Sequence, residues 1–370
     1  MRHPSGMSAP APPDGTRDWE PAWHEALYGP GGFYRADAPA AHFATSAQGI
    51  PGGGDLLAAA VVALARQHGC RRVVDVGCGR GELLTRVRRL DASLHLTGVD
   101  VVPRPAGLDV DGWLVSPGGA ALPDGLRDLD ATLVLAHEWL DVVPCPVVAR
   151  DETGVWRSLA VAPDGTETLG PVLGGDDLAW VLRWLDDGRR LDDGEDPPDG
   201  GATPVRRGEV GRSRETALAE LVGRVGSGLV VVVDYGHTAD DRPVHGSLTG
   251  FRGGREVHPV PDGSCDLTAH LAVDALRASL PPPTSPRAGR AVHPPAPRLV
   301  RQGDLLRGLL GDPGTPVPHA LSRTDPRAYL VGLARRAALT TLTTGTLGEF
   351  WWLLVPVGAH HGDDLHPGIG

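Results

Sequence analysis

Apolar positions along this chain fall into two rhythms, short continuous runs and stripes at helical spacing, and their order predicts the elements. Leu57, Val61 and Leu64 recur at helical spacing within Asp55–Gln67, which predicts an amphipathic helix. Val73-Val74-Asp75-Val76 then reads as a strand, Glu82–Leu90 as a helix and Leu94–Asp100 as the next strand. Ala131–Ala136 is an unbroken apolar run, as a central strand covered on both faces requires. Val147–Arg150 and Val155–Ala162, joined by Asp151-Glu152-Thr153-Gly154, predict a β-hairpin. Leu178–Leu185 predicts a short helix whose Trp180 and Trp184 serve packing, and Glu215–Val225 predicts another helix. Gly228–Asp234 is the strongest strand signal in the chain. Asp266 is a plausible N-cap for a following helix. Asp325-Pro326 is a cap followed by proline at the first helical position, opening a helix to about Ala338, and Glu349–Val357 reads as a closing strand.

Strands alternating with helices place the chain in the α/β class, with a mostly parallel, doubly wound sheet. Two stretches interrupt the pattern. Asp186–Pro204, rich in Asp, Gly and Pro, reads as a mobile surface loop, and Pro281–Pro297, with seven prolines, as an extended connector. No internal repeat is present in the sequence.

Composition narrows the function classes. The chain has 370 residues, enough for one large domain or two ordinary ones, and a net charge of −11. All 35 basic residues are Arg, with neither Lys nor Asn, a bias that looks like GC-rich bacterial coding. The acidic balance argues against nucleic-acid binding, which needs a basic surface. Cys70, Cys78, Cys145 and Cys265 show no metal-binding spacing, so a reduced cytoplasmic protein without a metal is expected. No apolar stretch approaches the length of a membrane span. The first fourteen residues, rich in Pro and Ala, lack the apolar core of a signal peptide and read as a disordered leader.

Candidate chemistry begins at Asp75-Val76-Gly77-Cys78-Gly79-Arg80-Gly81, where a strand runs into a glycine turn and then a helix. Glycines allow backbone angles that a side chain forbids and let a nucleotide-bearing cofactor lie against bare backbone. The spacing is G-x-G-x-G, whereas the dinucleotide fingerprint is G-x-G-x-x-G. Asp75, just under the turn, would repel a pyrophosphate and attract a donor carrying an amino group and a sulfonium. Asp100, at the end of the next strand, is placed to accept ribose hydroxyls. Asp75, Gly77, Cys78, Gly79, Gly81 and Asp100 are therefore the expected binding residues for S-adenosyl-L-methionine, with a nicotinamide cofactor as the alternative.

Ala136-His137-Glu138-Trp139-Leu140-Asp141 leaves the carboxyl end of a central strand, the edge where open α/β sheets place their chemistry. If a helical turn begins there, Glu138 and Asp141 share one face and can fork onto a guanidinium or accept a proton. A plain helix N-terminus with acids favoured by the dipole would look the same. Tyr235, after the strong strand, would wall a substrate cleft or simply cap the sheet. Tyr28–Tyr34 and His42–Ser46, aromatics beside glycines, suggest a lid or a packed loop. Glu138, Asp141 and Tyr235 are the catalytic candidates. The expected divisions are a leader and lid segment at 1–54, a cofactor-binding half at 55–144, a hairpin, acidic loop and helix at 145–227, and the rest of the core at 228–370. The last carries a substrate-side insertion at 237–325.

The sequence resembles the MidA-type family of S-adenosylmethionine-dependent methyltransferases. The resemblance runs through Ala26-Leu27-Tyr28, Gly32-Phe33-Tyr34, Phe43–Ser46, Val76–Gly81, Glu138–Pro144, Asp234-Tyr235-Gly236, Gly246–Arg252, Asp266–His270 and Leu347–Phe350. It implies a class I methyltransferase core, Rossmann-like, with an N-terminal lid and insertions around the later strands. It also implies a protein arginine as acceptor, since the family's mitochondrial members, which help assemble respiratory complex I, methylate one. The chain departs from the family pattern at His42, Ala47 and Gln48 in the lid and at His137 before Glu138. Those departures leave open a non-catalytic assembly or binding protein that keeps the fold.

Overall fold

The structure, a computed structural model, describes residues 15–35, 49–186, 205–280 and 294–358. The leader, the part of the lid at His42–Gln48, and most of the acidic loop and the proline-rich connector lie outside the described residues.

The main sheet has seven strands: β1 (Arg72–Val76), β2 (His95–Asp100), β3 (Gly112–Val115), β4 (Thr132–His137), β5 (Gly228–Asp234), β6 (Arg298–Arg301) and β7 (Trp351–Val357). Their spatial order is β3-β2-β1-β4-β5-β7-β6. β3, β2, β1, β4 and β5 pair in parallel, and β7 runs antiparallel to both β5 and β6. This is the doubly wound order with one reversed strand inserted near an edge. The chain winds outward from β1 through β2 to β3, then returns to β4 on the other side of β1. That reversal opens a crevice at the carboxyl ends of β1 and β4.

The central strands are apolar on both faces because both faces are covered. Leu229, Val231 and Val233 of β5 pack with Leu57 of α2 (Gly53–Gln67), Leu84 of α3 (Glu82–Leu90), Leu306 of α7 (Gln302–Leu310) and Leu339 of α8 (Pro326–Thr343). Val230 and Val232 face the opposite layer, with Leu218 and Leu221 of α5 (Arg212–Gly223) and Leu276 of α6 (Val273–Ser279). Each such side chain, fully buried, stabilises the fold by roughly 1.5–3 kcal/mol. A third cluster seals the site side: Trp19, Trp23 and Leu27 of α1 (Trp19–Tyr28) pack on Val142, Cys145, Val147 and Leu267.

The expected hairpin forms as Val147–Arg150 paired antiparallel with Trp156–Val161, within a separate five-stranded sheet. α4 (Gly175–Trp184) buries Trp180 against that unit, as expected. All four cysteines are free and buried. Asp325 caps α8 by accepting from the Ala328 amide at 2.9 Å, but the helix continues to Thr343 because Ala338, Leu339 and Leu342 dock it on the core.

One expectation fails. Asp266 caps no helix; Asp266–Thr268 is a strand paired antiparallel with Thr249–Arg252, and α6 begins only at Val273, after Ala272. Asp266 is buried, and its carboxylate accepts a hydrogen bond from the Tyr34 hydroxyl at 2.7 Å rather than from a helix amide.

Candidate active site

The site is built from the carboxyl ends of β1, β2, β4 and β5. After β1 the chain turns through Gly77, Gly79 and Gly81, with φ of +73°, +58° and +79°. Gly81 caps α3, and a Cβ there would lie 2.7 Å from the Leu108 side chain. Gly79 differs, because a Cβ on it would meet only Glu82, at 3.9 Å. Its backbone faces open space and can be approached closely.

Two carboxylates flank this turn. Asp75 is buried beneath it, and that burial, reinforced by Asp100 and then Glu82, pushes its carboxyl up to about 8. Asp100 closes β2 and accepts from the Gly79 amide at 2.7 Å and the Val102 amide at 3.3 Å. Burial raises Asp100 to about 6, against the lowering effect of those amides. Cys78 is buried beside them, its thiol pushed well up by burial and then by Asp75 and Asp100, so it contributes packing and backbone rather than a thiolate. An ammonium and a diol fit this pair of acids and the bare turn. A pyrophosphate does not.

The second half of the site follows β4. No helical turn begins at Glu138, so the condition under which Glu138 and Asp141 would share a helix face is not met. Glu138 has φ of +51° and donates its amide to Val233 O at 2.8 Å, while residues 138–143 form an irregular turn. A long side chain held in the left-handed region is uncommon and strained. Glu138 and Asp141 nonetheless lie near enough for the Glu138 charge to raise the Asp141 carboxyl. Asp141 is 5% exposed, and burial first, then Glu138, lifts it to about 6. Its Oδ2 accepts from Thr268 Oγ1 at 2.6 Å. Among the described residues its Oδ1 has no hydrogen-bond partner. His137 is buried and pushed down to about 4, so it is neutral at physiological pH.

Asp234, at the end of β5, accepts from the Asp141 amide at 3.1 Å and from the Tyr235 amide at 2.9 Å. Burial and the Asp141 charge raise its carboxyl well above the ordinary range. The Tyr235 ring stacks on His270 with centroids 5.7 Å apart and tilts against Phe350 at 3.9 Å. It lines the edge of the acid cluster, and Glu138, Asp141 and Asp234 all act on its hydroxyl.

Several residues that hold this site were not singled out from sequence. Arg214 of α5 is buried and donates to the carbonyls of Asp141, Val143, Ala269 and His270 at 2.9–3.1 Å, tying α5 to both acidic segments. Glu209 accepts from the Ser247 and Leu248 amides at 3.1 Å, fixing the Gly246–Leu248 bend. Asp266 and Thr268 stand two apart on one strand, so period-two spacing puts both on one face. The Asp266–His270 block carried that signal, but its leading acid mimics a cap.

Residues 120–280 match the model of a family described as "Putative S-adenosyl-L-methionine-dependent methyltransferase". The matched segment includes both acidic turns, the Arg214 helix and the Asp266 strand. The match and the fold define the class: the chain is an S-adenosylmethionine-dependent methyltransferase with a class I methyltransferase fold. Among solved structures it is similar to a COG1565 superfamily member from Burkholderia thailandensis bound to S-adenosyl-homocysteine. That similarity has 19% identity, covers 93% of this chain and 89% of the other, and has a TM-score of 0.66. A second crystal structure of a COG1565 superfamily protein from the same organism matches at 19% identity and TM-score 0.66, over 93% of this chain and 88% of the other. A comparison with curated proteins finds no match.

Proposed function

We propose that this enzyme transfers the methyl group of S-adenosylmethionine to an arginine side chain of a protein substrate. What carries the reading is the contrast in charge at the crevice. Four buried or half-buried acids, Glu138, Asp141, Asp234 and Asp266, crowd the end of the site beside the glycine turn. The buried cation among them, Arg214, spends its donors on backbone carbonyls. Such a surface suits a cationic acceptor, and the resemblance to MidA-type methyltransferases supports arginine in particular. The net charge of −11 speaks against a nucleic-acid acceptor. Among the described residues no helix is long and apolar enough to cross a membrane; we place the enzyme in the cytoplasm on its four cysteines, whose spacing suits a reducing compartment.

In this reading Gly77, Cys78, Gly79 and Gly81 supply backbone against which the cofactor lies. Asp75 holds its amino group and Asp100 its ribose hydroxyls. The bound sulfonium supplies an electrophilic methyl with a good leaving group. The acceptor nitrogen uses its electron pair to form the new N–C bond as the C–S pair passes to sulfur, and its displaced N–H proton goes to a carboxylate. Glu138, at the open end of β4, takes that proton, while Asp141 orients the acceptor and Tyr235 bounds the cleft. Alignment is the main demand, and well-oriented groups contribute roughly 7–11 kcal/mol to such reactions.

The test is transfer of labelled methyl from S-adenosylmethionine to proteins of a bacterial lysate, followed by acid hydrolysis and chromatography. The label is expected in methylarginine and is expected to fall by at least about 100-fold with Glu138→Gln. Label in another methylated residue would replace the arginine assignment, and no label above a no-enzyme control would overturn transfer to protein.

A further inference from the structure

Asp141 Oδ1 is a carboxylate oxygen on a residue 5% exposed, and among the described residues no donor meets hydrogen-bond geometry at it, although the Val142 amide acts on the carboxylate. A buried acceptor left unmatched costs roughly 1–3 kcal/mol and calls for an explanation in function. Its neighbours are better served. Both Asp234 oxygens receive amides, Asp141 Oδ2 is held by Thr268, and Asp266 Oδ1 is held by the Tyr34 hydroxyl. The Asp141 charge acts on Tyr28, Tyr34, Asp234, Tyr235, Asp266 and His270, so it lies at the centre of the cluster. The Asp100 charge acts on Tyr28 as well, which links this cluster to the cofactor turn.

We infer that Asp141 Oδ1, together with the neighbouring Tyr34–Asp266 pair, is the seat for the guanidinium of the methyl acceptor. This deepens the arginine reading and rests on it. A guanidinium is planar, presents several N–H donors and is more weakly hydrated than an ammonium, so it can serve two separate carboxylates at once. Thr268 holds Asp141 by its other oxygen, Oδ2, and Tyr34 anchors Asp266 through Oδ1. Asp266, Tyr34 and Thr268 are positioning residues, Asp141 the contact. The alternative occupant, the amino group of the cofactor, would make Asp141 part of the donor site instead.

The full chain loaded with S-adenosylhomocysteine is titrated with N-acetylarginine N-methylamide and with its neutral isostere, N-acetylcitrulline N-methylamide, by ligand-observed NMR. The arginine probe is expected to bind at least about tenfold more tightly in the wild type. Asp141→Asn and Asp266→Asn should each remove that preference, Tyr34→Phe and Thr268→Val should reduce it severalfold, and all four should bind S-adenosylhomocysteine within about twofold of wild type. Both Asn variants are isosteric and remove a buried charge, and unchanged near-ultraviolet circular dichroism would show that they fold. A preference that survives both substitutions overturns the seat, and so does loss of S-adenosylhomocysteine affinity in step with it. If the wild type binds S-adenosylhomocysteine but does not distinguish the two probes, both the seat and the arginine reading fall while the cofactor assignment stands. Failure of the wild type to bind S-adenosylhomocysteine would instead remove the methyltransferase reading itself.

Discussion

Asp75 shows how much a single buried carboxyl can set. Burial, with Asp100 and Glu82 nearby, raises it from 3.8 to about 8. The unfolded chain loses this proton first as pH rises, so between about 4 and 8 the native state holds a proton that the unfolded state lacks. Stability without cofactor therefore falls across that window, and the full cost is present above it. Asp100, Asp141 and Asp266, raised to about 6, about 6 and about 7, push in the same direction, so the comparison that isolates Asp75 is with Asp75→Asn. The variant is expected to lose less stability than the wild type between pH 5.5 and 8.5 in urea titrations. A bound ammonium reverses the preference, because it needs the ionised carboxylate. Affinity for S-adenosylhomocysteine should rise with pH towards 8, with proton release detectable by calorimetry in two buffers of different ionisation enthalpy. Asp75→Asn should weaken binding by about 10- to 100-fold, the worth of one charge-assisted hydrogen bond. Unchanged affinity would remove Asp75 from the cofactor site. Glu138 carries the opposite kind of cost. At φ of +51° its backbone is strained, and Glu138→Gly should stabilise the fold by about 1 kcal/mol while abolishing methyl transfer.

Among the elements, α5 has a role that its sequence conceals. Arg214 lies on a helix with half-buried Ser213 and exposed Glu220 nearby, and local pattern gives no reason to bury it. Its burial is decided by carbonyls from residues 141, 143, 269 and 270, all far along the chain. Arg214→Met is expected to cost about 3–5 kcal/mol, because several buried acceptors lose a charged donor together, and the urea midpoint is the measurement. Lys should rescue little, since one ammonium cannot reproduce the planar fork. A loss below about 1 kcal/mol would mean that water replaces the guanidinium. The same distinction separates what was legible in the sequence from what was not. β1, β2, β4 and β5 announce themselves as apolar runs, and the glycine turn with Asp75 and Asp100 favours an adenosyl donor by local chemistry, with a nicotinamide cofactor left as the alternative. Asp266 could not be read this way. An acid followed by apolar residues looks like a helix cap, and only Tyr34, 232 residues earlier, reveals it as a buried acceptor. Glu138 and Asp141 were recognisable as a pair by position at a strand end, whereas the left-handed turn that joins them was not, because nothing in the side chain of Glu138 favours it.

For the whole molecule, the doubly wound sheet makes cofactor binding and folding a single equilibrium. The crevice draws on β1, β2 and β4 together, so it exists only when the sheet order β2-β1-β4 is assembled. A ligand that binds only the native state stabilises it by about 2.7 kcal/mol at a concentration of 100 Kd. Unfolding entropy scales with length at roughly 2.1 cal/mol/K per residue, so for a chain of 370 residues that stabilisation corresponds to about 3 °C in Tm. S-adenosylmethionine and S-adenosylhomocysteine should each produce a shift of this size in differential scanning calorimetry, growing with the logarithm of concentration. NAD should produce none at the same concentrations, because Asp75 opposes its pyrophosphate and the third glycine of the turn stands one position too early for the dinucleotide loop. An equal shift with NAD would mean that the turn recognises adenosine alone and that the two flanking acids do not select the donor. A shift with the adenosyl ligands that vanishes on Gly79→Ala, with the strain of a Cβ at φ of +58° read separately as the drop in ligand-free Tm, would place the cofactor against that bare backbone.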